Sequence, residues 1–317
     1  MESYPLPSKK KRRPILKSTM FERANFQKNI FLLLAIAPPF GGYLLFTLYP
    51  NLLSVYYSFL NWDGMSEPVF VGFQNFIALV QDQFVWRALS HNLFLLIVIP
   101  IAVVILSLVL AYLLSYKEYK ESKFLKLLFF FPNILSTVVI AMLWQFIYDG
   151  DYGLLNEFLR LLGLDVGDFY WLGDERTALW AIVPAWIWGS VGLYVIIFVN
   201  AMDSIPKSYY EAAVLDGASD WTLLYKITLP TIMPVVRVCI LFLIIATIKG
   251  FDILLILTNG GPAGATDVIG LYIFNLAFGE GSHNYGYASA IGILIFFILA
   301  GLKLIMDTYM NKKGIDY

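Results

Sequence analysis

Charged residues are scarce in this chain of 317 residues: 14% are Asp, Glu, Lys or Arg, against about 25% in soluble domains. Hydrophobic residues make up 59% of the chain, and they lie in long runs rather than in alternating or heptad patterns. This composition argues against a soluble protein. It is typical of a chain in which membrane spans of about 20 apolar residues alternate with short loops.

Cysteine and histidine are also rare. The single cysteine, Cys239, lies inside an apolar run, which excludes an intrachain disulfide and a cysteine metal cluster. The two histidines, His91 and His283, are far apart in sequence, so the pattern predicts no metal site. A cleaved signal peptide is not expected, because the first apolar run begins near Asn29, after a basic segment, and exceeds the 7–15 residues of a signal peptide core.

Catalytic and nucleotide-binding motifs are missing as well. The sequence has no Gly-x-x-x-x-Gly-Lys phosphate loop, so ATP cannot be bound in the usual way. It has neither His-Glu-x-x-His nor Gly-x-Ser-x-Gly, which argues against a membrane enzyme. The sequence therefore predicts a protein that is not an enzyme, has no cofactor of its own and has no nucleic-acid partner.

Six apolar runs are long enough to cross the hydrocarbon core as helices, which satisfy their own backbone hydrogen bonds there. The predicted fold is an all-α integral membrane protein with six transmembrane helices, in which residues 29–310 form the transmembrane domain. The predicted spans cover residues 29–50, 92–115, 124–148, 177–202, 234–258 and 287–310.

Lysine and arginine placement predicts the orientation of the chain. Basic residues concentrate in the tail 1–28, between spans two and three, between spans four and five, and in the tail 311–317. By the positive-inside rule both termini are cytoplasmic, which requires an even number of spans. The basic tail 1–28 suits either a topology signal or contact with anionic membrane lipid. Three predicted loops then face outward: about 51–91, 149–176 and 259–286.

The predicted cytoplasmic loop 203–233 reads as a helix, a turn and a second helix. Pro206 suits a first helical turn, Gly217 suits the left-handed conformation that ends a helix, and Ser219 or Asp220 suits the next N-cap. Pro230 and Pro234 are expected to mark the end of the second helix.

Small residues at Ala212, Ala213 and Ala218 would let the backbone of another protein approach this loop closely. On these grounds alone an ordinary connecting loop is an equally good interpretation, since helix propensity is a weak guide.

The same loop carries a family resemblance in its residues and spacing. Three residues separate Glu211-Ala212-Ala213 from Gly217, nine separate Gly217 from Ile227, and one separates Ile227 from Leu229-Pro230. This string is similar in its full spacing to the EAA motif of binding-protein-dependent ABC importer permeases. The resemblance implies coupling helices that enter a groove of a separate ATPase docked on residues 205–230. It implies ATPase contact by Glu211, Ala212, Ala213 and Gly217, and bracing of the loop against the membrane helices by Ile227, Leu229 and Pro230.

Other segments resemble carbohydrate-type permeases of this family, and the chain is similar to the first of two paired permeases. These segments are Phe251-Asp252, Leu257-Thr258-Asn259-Gly260-Gly261-Pro262, Phe70-Val71-Gly72-Phe73-Gln74-Asn75-Phe76, Trp144 and Gly153-Leu154-Leu155-Asn156. The resemblance implies a bacterial or archaeal cytoplasmic membrane protein that imports a mono- or oligosaccharide. Its alternative cargo is glycerol 3-phosphate or another polyol-type solute. The implied partners are a second, homologous permease, an ATPase dimer that binds ATP and Mg²⁺, and an extracytoplasmic solute-binding protein.

The substrate path is expected between spans. Lys249 and Asp252 lie in the fifth predicted span, three residues apart. Charged residues inside a membrane indicate either a substrate path or a structural ion pair. We expect these two to pair with each other. Two stripes at helical spacing are further candidates, for which helix packing is the alternative. The stripes are Trp186, Gly189, Ser190 and Leu193 on span four, and Leu243, Ala246, Thr247 and Gly250 on span five.

A stand-alone secondary transporter is the rival hypothesis. Such a protein often shows inverted repeats or broken helices that carry coupling-ion ligands. No convincing repeat is visible in the sequence, and the EAA spacing would have no role in such a protein.

Overall fold

The computed structural model describes residues 15–116, 121–164, 166–279 and 283–311. Most of these residues are α-helical, as predicted, with one short β-hairpin that the all-α prediction did not contain. Residues 1–14 of the predicted N-terminal tail, the basic Lys117 and Lys120, and the predicted C-terminal tail after Asn311 lie outside the described residues. The chain forms two compact units, Met1–Tyr57 and Ser58–Tyr317.

The first unit is a single helical run. Helix α1 spans Ile15–Tyr43, a π-helical turn spans Leu44–Leu48, and α2 spans Tyr49–Tyr57. Its apolar stretch, Lys28–Tyr57, is long enough to cross a membrane and contains the predicted span 29–50. Helix α1 also begins inside the predicted tail 1–28, at Ile15.

The second unit contains twelve helices within its described residues. A hairpin of β1 (Leu60–Asn61) and β2 (Val69–Phe70) precedes them, with Leu60 paired to Phe70. The helices are α3 (Gln74–Gln81), α4 (Gln83–Tyr116), α5 (Ser122–Ile134), α6 (Thr137–Ile147), α7 (Leu154–Leu161), α8 (Ala178–Asp203), α9 (Lys207–Leu215), α10 (Asp220–Leu223), α11 (Leu229–Lys249), α12 (Asp252–Leu257), α13 (Ile269–Phe278) and α14 (Tyr285–Asn311).

Four continuous helical stretches are long and apolar enough to cross a membrane: Lys28–Tyr57, Gln83–Ser115, Ala178–Asp203 and Asp220–Lys249. The bent pair α5–α6 makes a fifth if the two helices form one span. A helix at the sixth predicted position is present as α14, of which the stretch Tyr285–Gly301 is apolar. The structure thus supports a multi-span helical protein.

Two of the predicted spans are not single helices. The third, 124–148, bends by 100° between α5 and α6, where Leu135 and Ser136 leave the helical conformation and Ser136 caps α6 through a 3.4 Å bond from the Val139 amide. The fifth, 234–258, breaks at Gly250 and Phe251. Apolar length predicts that a segment enters the membrane, but it does not predict whether the helix stays straight.

Helix α8 is the centre of the hydrophobic core. It is buried along most of its length, through side chains such as Ile182, Val195 and Phe198. Gly192 lets α5 pack directly on its backbone, because a Cβ there would overlap the Phe129 carbonyl. On another side the buried Ser107 hydroxyl of α4 donates to the Val191 carbonyl at 3.1 Å.

The loop of residues 258–268, here named the Asp267 loop, is held by the first turns of α4. His91 Nδ1 donates to the Asp267 carbonyl at 2.7 Å, and Asn92 Oδ1 accepts the Ile269 amide at 2.7 Å. Burial raises the pKa of the Asp267 carboxyl, while the nearby charges of Arg87 and His91 act in the opposite direction. This loop is therefore fixed by side chains distant in sequence.

Two glycines of the Asp267 loop have left-handed φ angles and no free space around them. Gly260 has φ +82, and a Cβ there would overlap the Asp267 carboxylate. Gly264 has φ +77, and a Cβ there would overlap the Arg87 guanidinium. Only glycine meets both the conformational and the steric requirement at these positions.

Asp82, just before α4, joins three helices. Its Oδ2 accepts the Tyr272 hydroxyl of α13 at 2.9 Å and the Tyr287 hydroxyl of α14 at 2.6 Å. Its Oδ1 accepts the Phe84 amide at 2.8 Å, which caps α4. Desolvation alone would raise the pKa of Asp82, but these hydrogen bonds outweigh it and lower the pKa below its ordinary value.

Candidate functional site

The loop of residues 203–233, here named the Glu211 loop, contains two helices that meet at a sharp turn. Pro206 is the N-cap of α9, whose last turn ends in a Schellman arrangement: the Gly217 amide donates to the Val214 carbonyl at 3.0 Å and the Ala218 amide to the Ala213 carbonyl at 2.9 Å. Gly217 has φ +80, as predicted for the residue that ends the helix.

The second helix of this loop begins where the sequence predicted but does not end there. Ser219 caps α10 by accepting the Thr222 amide at 3.4 Å. The helix then continues through a π-helical turn, Leu224–Thr228, into α11. The prediction that Pro230 and Pro234 end it is wrong. Pro230 follows the π-helical turn directly, as the second residue of α11, and Pro234 lies inside the same helix.

Buried residues fix the base of the Glu211 loop. Ile205 and Leu223 are buried. The Tyr210 hydroxyl lies 3.0 Å from Thr228 Oγ1, and Thr228 in turn donates to the Leu223 carbonyl at 3.2 Å. These contacts join α9 to the start of α11, so the two helices are connected at their base.

The far side of the loop is exposed. Glu211 and Ala212 are exposed, and Leu215 has 87% of its surface accessible. Trp221 and Tyr225 are exposed as well, with their rings stacked at 6.0 Å between centroids. Large apolar side chains in a polar loop are the composition expected of a protein-docking surface.

A cleft of about 210 Å³ lies where the two helix breaks face α8. Its walls come from the end of α5, the start of α12, the first turns of α6 and the middle of α8. The lining residues are Asn133, Leu135, Thr137, Ile140, Ala185, Trp186, Gly189, Ser190, Gly250, Asp252 and Ile253.

Glycine positions shape this cleft. A Cβ on Gly250 would lie 2.7 Å from the Trp186 ring, and one on Gly189 would lie 2.9 Å from the Ile140 side chain. The absence of these side chains lets α6 and the α11–α12 break approach α8. Asn133 secures the arrangement by donating from Nδ2 to the Gly189 carbonyl at 3.1 Å.

Comparison with known proteins decides the family. The model of the binding-protein-dependent transport system inner membrane component matches residues 76–313. This chain belongs to that family. It is a transport permease of the ABC importer class, a multi-pass protein of the cytoplasmic membrane, and not a catalytic subunit. The resemblance to carbohydrate-type permeases is confirmed by the relatives.

The permease is 31% identical over 302 residues to the diacetylchitobiose uptake system permease protein NgcF of Streptomyces coelicolor, which covers 92% of this chain and 84% of the relative. Two solved structures share its fold. One is a bacterial ABC transporter involved in the import of the acidic polysaccharide alginate, with a TM-score of 0.78 and 23% identity. The match covers 92% of this chain and 99% of that chain. The other is a bacterial alginate ABC transporter in complex with a periplasmic protein that binds alginate pentasaccharide, with a TM-score of 0.75 and 25% identity. The match covers 90% of this chain and 96% of that chain.

Five of the ten residues predicted for the substrate path line the cleft of the permease: Trp186, Gly189, Ser190, Gly250 and Asp252. The other five do not. Leu193 and Ala246 are exposed elsewhere. Leu243 and Thr247 are buried in the core, and the Thr247 hydroxyl donates to the Leu243 carbonyl at 2.8 Å. Of the stripe on span five only Gly250, at the helix break, lines the cleft.

Lys249 and Asp252 are not paired. The described residues show no salt bridge between them, and both are exposed. The prediction assumed one continuous helical face, whereas Gly250 and Phe251 interrupt the helix between the two charges.

Sequence reasoning missed several residues that build both regions. At the base of the Glu211 loop the missed residues are Ile205, Tyr210, Leu223 and Thr228. Of the residues predicted to brace this loop, Pro230 is exposed, and Ile227 and Leu229 are only half-buried. In the cleft the missed residues include Asn133 and Thr137. Both are polar residues inside an apolar run, and Asn133 follows Pro132 directly; this pattern could have indicated a functional site. No group of three metal-ligating side chains occurs among the described residues.

Proposed function

We propose that this chain is one of two permeases in an ATP-driven importer that moves a sugar inward across the cytoplasmic membrane. In this proposal the chain crosses the membrane six times, both termini are cytoplasmic, and residues 29–310 form the permease domain. The Glu211 loop carries the proposal, because it is fixed at its base by buried residues and exposes an apolar surface at its tip.

The Glu211 loop is the proposed docking site for a separate ATPase dimer, which binds ATP and Mg²⁺. Glu211, Ala212, Ala213 and Gly217 would contact the ATPase. Closure of the ATPase dimer would move the loop, and the membrane helices would switch between inward- and outward-facing states as rigid bodies. An extracytoplasmic binding protein would deliver the cargo; a periplasmic protein is bound to the alginate transporter of similar fold.

A sugar is the proposed cargo. Names of relatives point to saccharides, among them diacetylchitobiose and alginate. The cleft offers the groups that sugars need: the Thr137 and Ser190 hydroxyls, the Asn133 amide and the edge of Trp186. Neither hydroxyl has a hydrogen-bond partner among the described residues, so both are available to a ligand.

A pair of matched variants tests the coupling role. Gly217 and Gly163 both have φ +80, and neither has an atom within 4 Å of a Cβ built there. Gly217→Asp should abolish ATP-driven uptake, because it adds charge to the docking surface. Gly163→Asp imposes the same backbone strain in the predicted outward loop and should retain uptake.

Uptake and ATPase activity are measured with the full complex in native membrane vesicles. The ATPase should also be recovered with the wild type in mild detergent and lost with Gly217→Asp. Equal uptake by both variants, or the absence of any ATPase in the wild-type preparation, would refute the coupling role and favour a stand-alone carrier.

A further inference from the structure

The cleft holds a single ionisable side chain. Of its lining residues only Asp252 carries charge, and none is basic. Lys249 is near in sequence, but it does not line the cleft and makes no salt bridge with Asp252. No basic side chain among the described residues therefore neutralises this carboxylate within the cleft.

The carboxylate of Asp252 is exposed at the surface of the cleft, where any solute that enters can approach it. Leu135, Ile140 and Ile253 form part of the wall, and charge interactions are stronger beside apolar surfaces than in bulk water. A phosphate or carboxylate on a solute would meet like charge without a compensating cation. An uncharged solute would not, and a protonated amine would gain an attractive partner.

We propose that this cleft admits uncharged or cationic sugars and disfavours anionic ones, and that Asp252 sets this preference. This inference rests on the proposed function, because it takes the cleft as part of the cargo path. It also argues against glycerol 3-phosphate as the cargo.

A cysteine probe reads the charge preference without knowledge of the sugar. The only cysteine, Cys239, is replaced in a Cys239→Ala background, and Ser190→Cys places one thiol in the cleft. The full complex in native vesicles, opened to either face, is treated with a cationic trimethylammonium-ethyl methanethiosulfonate or an anionic sulfonatoethyl methanethiosulfonate. Both rates are divided by those for a free thiol in solution, with and without a non-hydrolysable ATP analogue.

The expected result is a faster normalised rate for the cationic reagent, and a fall in the cation-to-anion ratio of about fivefold on Asp252→Asn, from Coulomb interaction over a few ångströms. Asp252→Glu should restore the ratio. Asp203→Asn removes a charge near the far end of α8 and should leave it unchanged.

Two other outcomes distinguish a failure of the charge preference from a failure of the proposed cargo path. If the thiol is modified but the cation-to-anion rate ratio does not change when Asp252 is substituted, the charge preference is overturned and the cleft stays in the cargo path. No modification by either reagent, from either face and in either nucleotide state, would remove the cleft from the cargo path and overturn both.

Discussion

Two loops flank α11 and α12, and they place glycine in the same conformation but in opposite surroundings. In the Glu211 loop, Gly217 has φ +80 and open space beyond it; in the Asp267 loop, Gly264 has φ +77 and the Arg87 guanidinium fills the space. The first loop is fixed at its base and by the Tyr112 hydroxyl, which donates to the Asp220 carbonyl at 3.0 Å. The second loop is enclosed by side chains of α4. One surface is free to receive a partner, whereas the other is completed by the chain itself.

Adding one methyl group should break this comparison most clearly. Gly264→Ala combines left-handed strain with overlap at Arg87 and should destabilise the protein by about 3 kcal/mol or more. Gly217→Ala bears the strain alone and should cost about 1 kcal/mol. Thermal unfolding followed by size-exclusion chromatography in detergent measures both, and equal losses would show that the crowding at Gly264 has no energetic effect.

Removal of the carboxylate that joins three helices should have the next largest effect. Asp82→Ala leaves the Tyr272 and Tyr287 hydroxyls without their acceptor and should cost about 2–3 kcal/mol, toward the lower figure because Asp82 is only half-buried. Asp63→Ala is the control: Asp63 also accepts several hydrogen bonds, but all come from Met65 and Ser66 nearby. The control should leave the melting temperature nearly unchanged; an equal drop in both would contradict the prediction.

The base of the Glu211 loop offers a smaller change with a functional readout. Tyr210→Phe removes the hydroxyl that contacts Thr228 and should cost about 1 kcal/mol. It should also lower the amount of sugar imported per ATP hydrolysed, because α9 is then less firmly joined to α11. Tyr209→Phe, at the exposed neighbouring tyrosine, is the control for both measurements. An unchanged transport ratio in Tyr210→Phe would show that this contact has no part in coupling.

The smallest expected effect is a pH dependence in the Asp267 loop. Burial raises the pKa of Asp267 above its ordinary value of 3.8. Between that value and the raised one, the folded chain binds more protons than the unfolded chain, so this group makes stability fall as pH rises. Asp267→Asn should remove that slope. Melting temperatures of wild type and variant across this window test it, and parallel curves would contradict it.

The Glu211 loop was more predictable from sequence than the Asp267 loop for a physical reason. Its turn depends on local signals, a glycine that ends one helix and a serine that caps the next, and these act over a few residues. The contacts that fix the Asp267 loop, His91 with Asp267 and Asn92 with Ile269, cross 176 and 177 residues. No local pattern encodes such pairs, and their partners are identified only when the helices are packed.

The cleft shows a similar limit. Hydropathy located the segments that contain Trp186 and Gly250, but it treated each predicted span as straight. The bend at Ser136 and the break at Gly250 arise where an N-cap and a glycine interrupt apolar runs, and they decide which side chains meet. Half of the predicted stripe residues therefore line the cleft, and the rest pack in the core or face outward.

The unbroken helical stretch Asp220–Lys249 has a mechanical consequence. It contains 30 residues, so it is about 45 Å long, with the turn at Gly217 beside one end and Gly250 at the other. A rod of that length is a lever: a tilt of about 5° at one end displaces the other by about 4 Å. If the Glu211 loop is the ATPase docking site, as proposed, a displacement of about 4 Å at that loop would change the width of the cleft at Gly250.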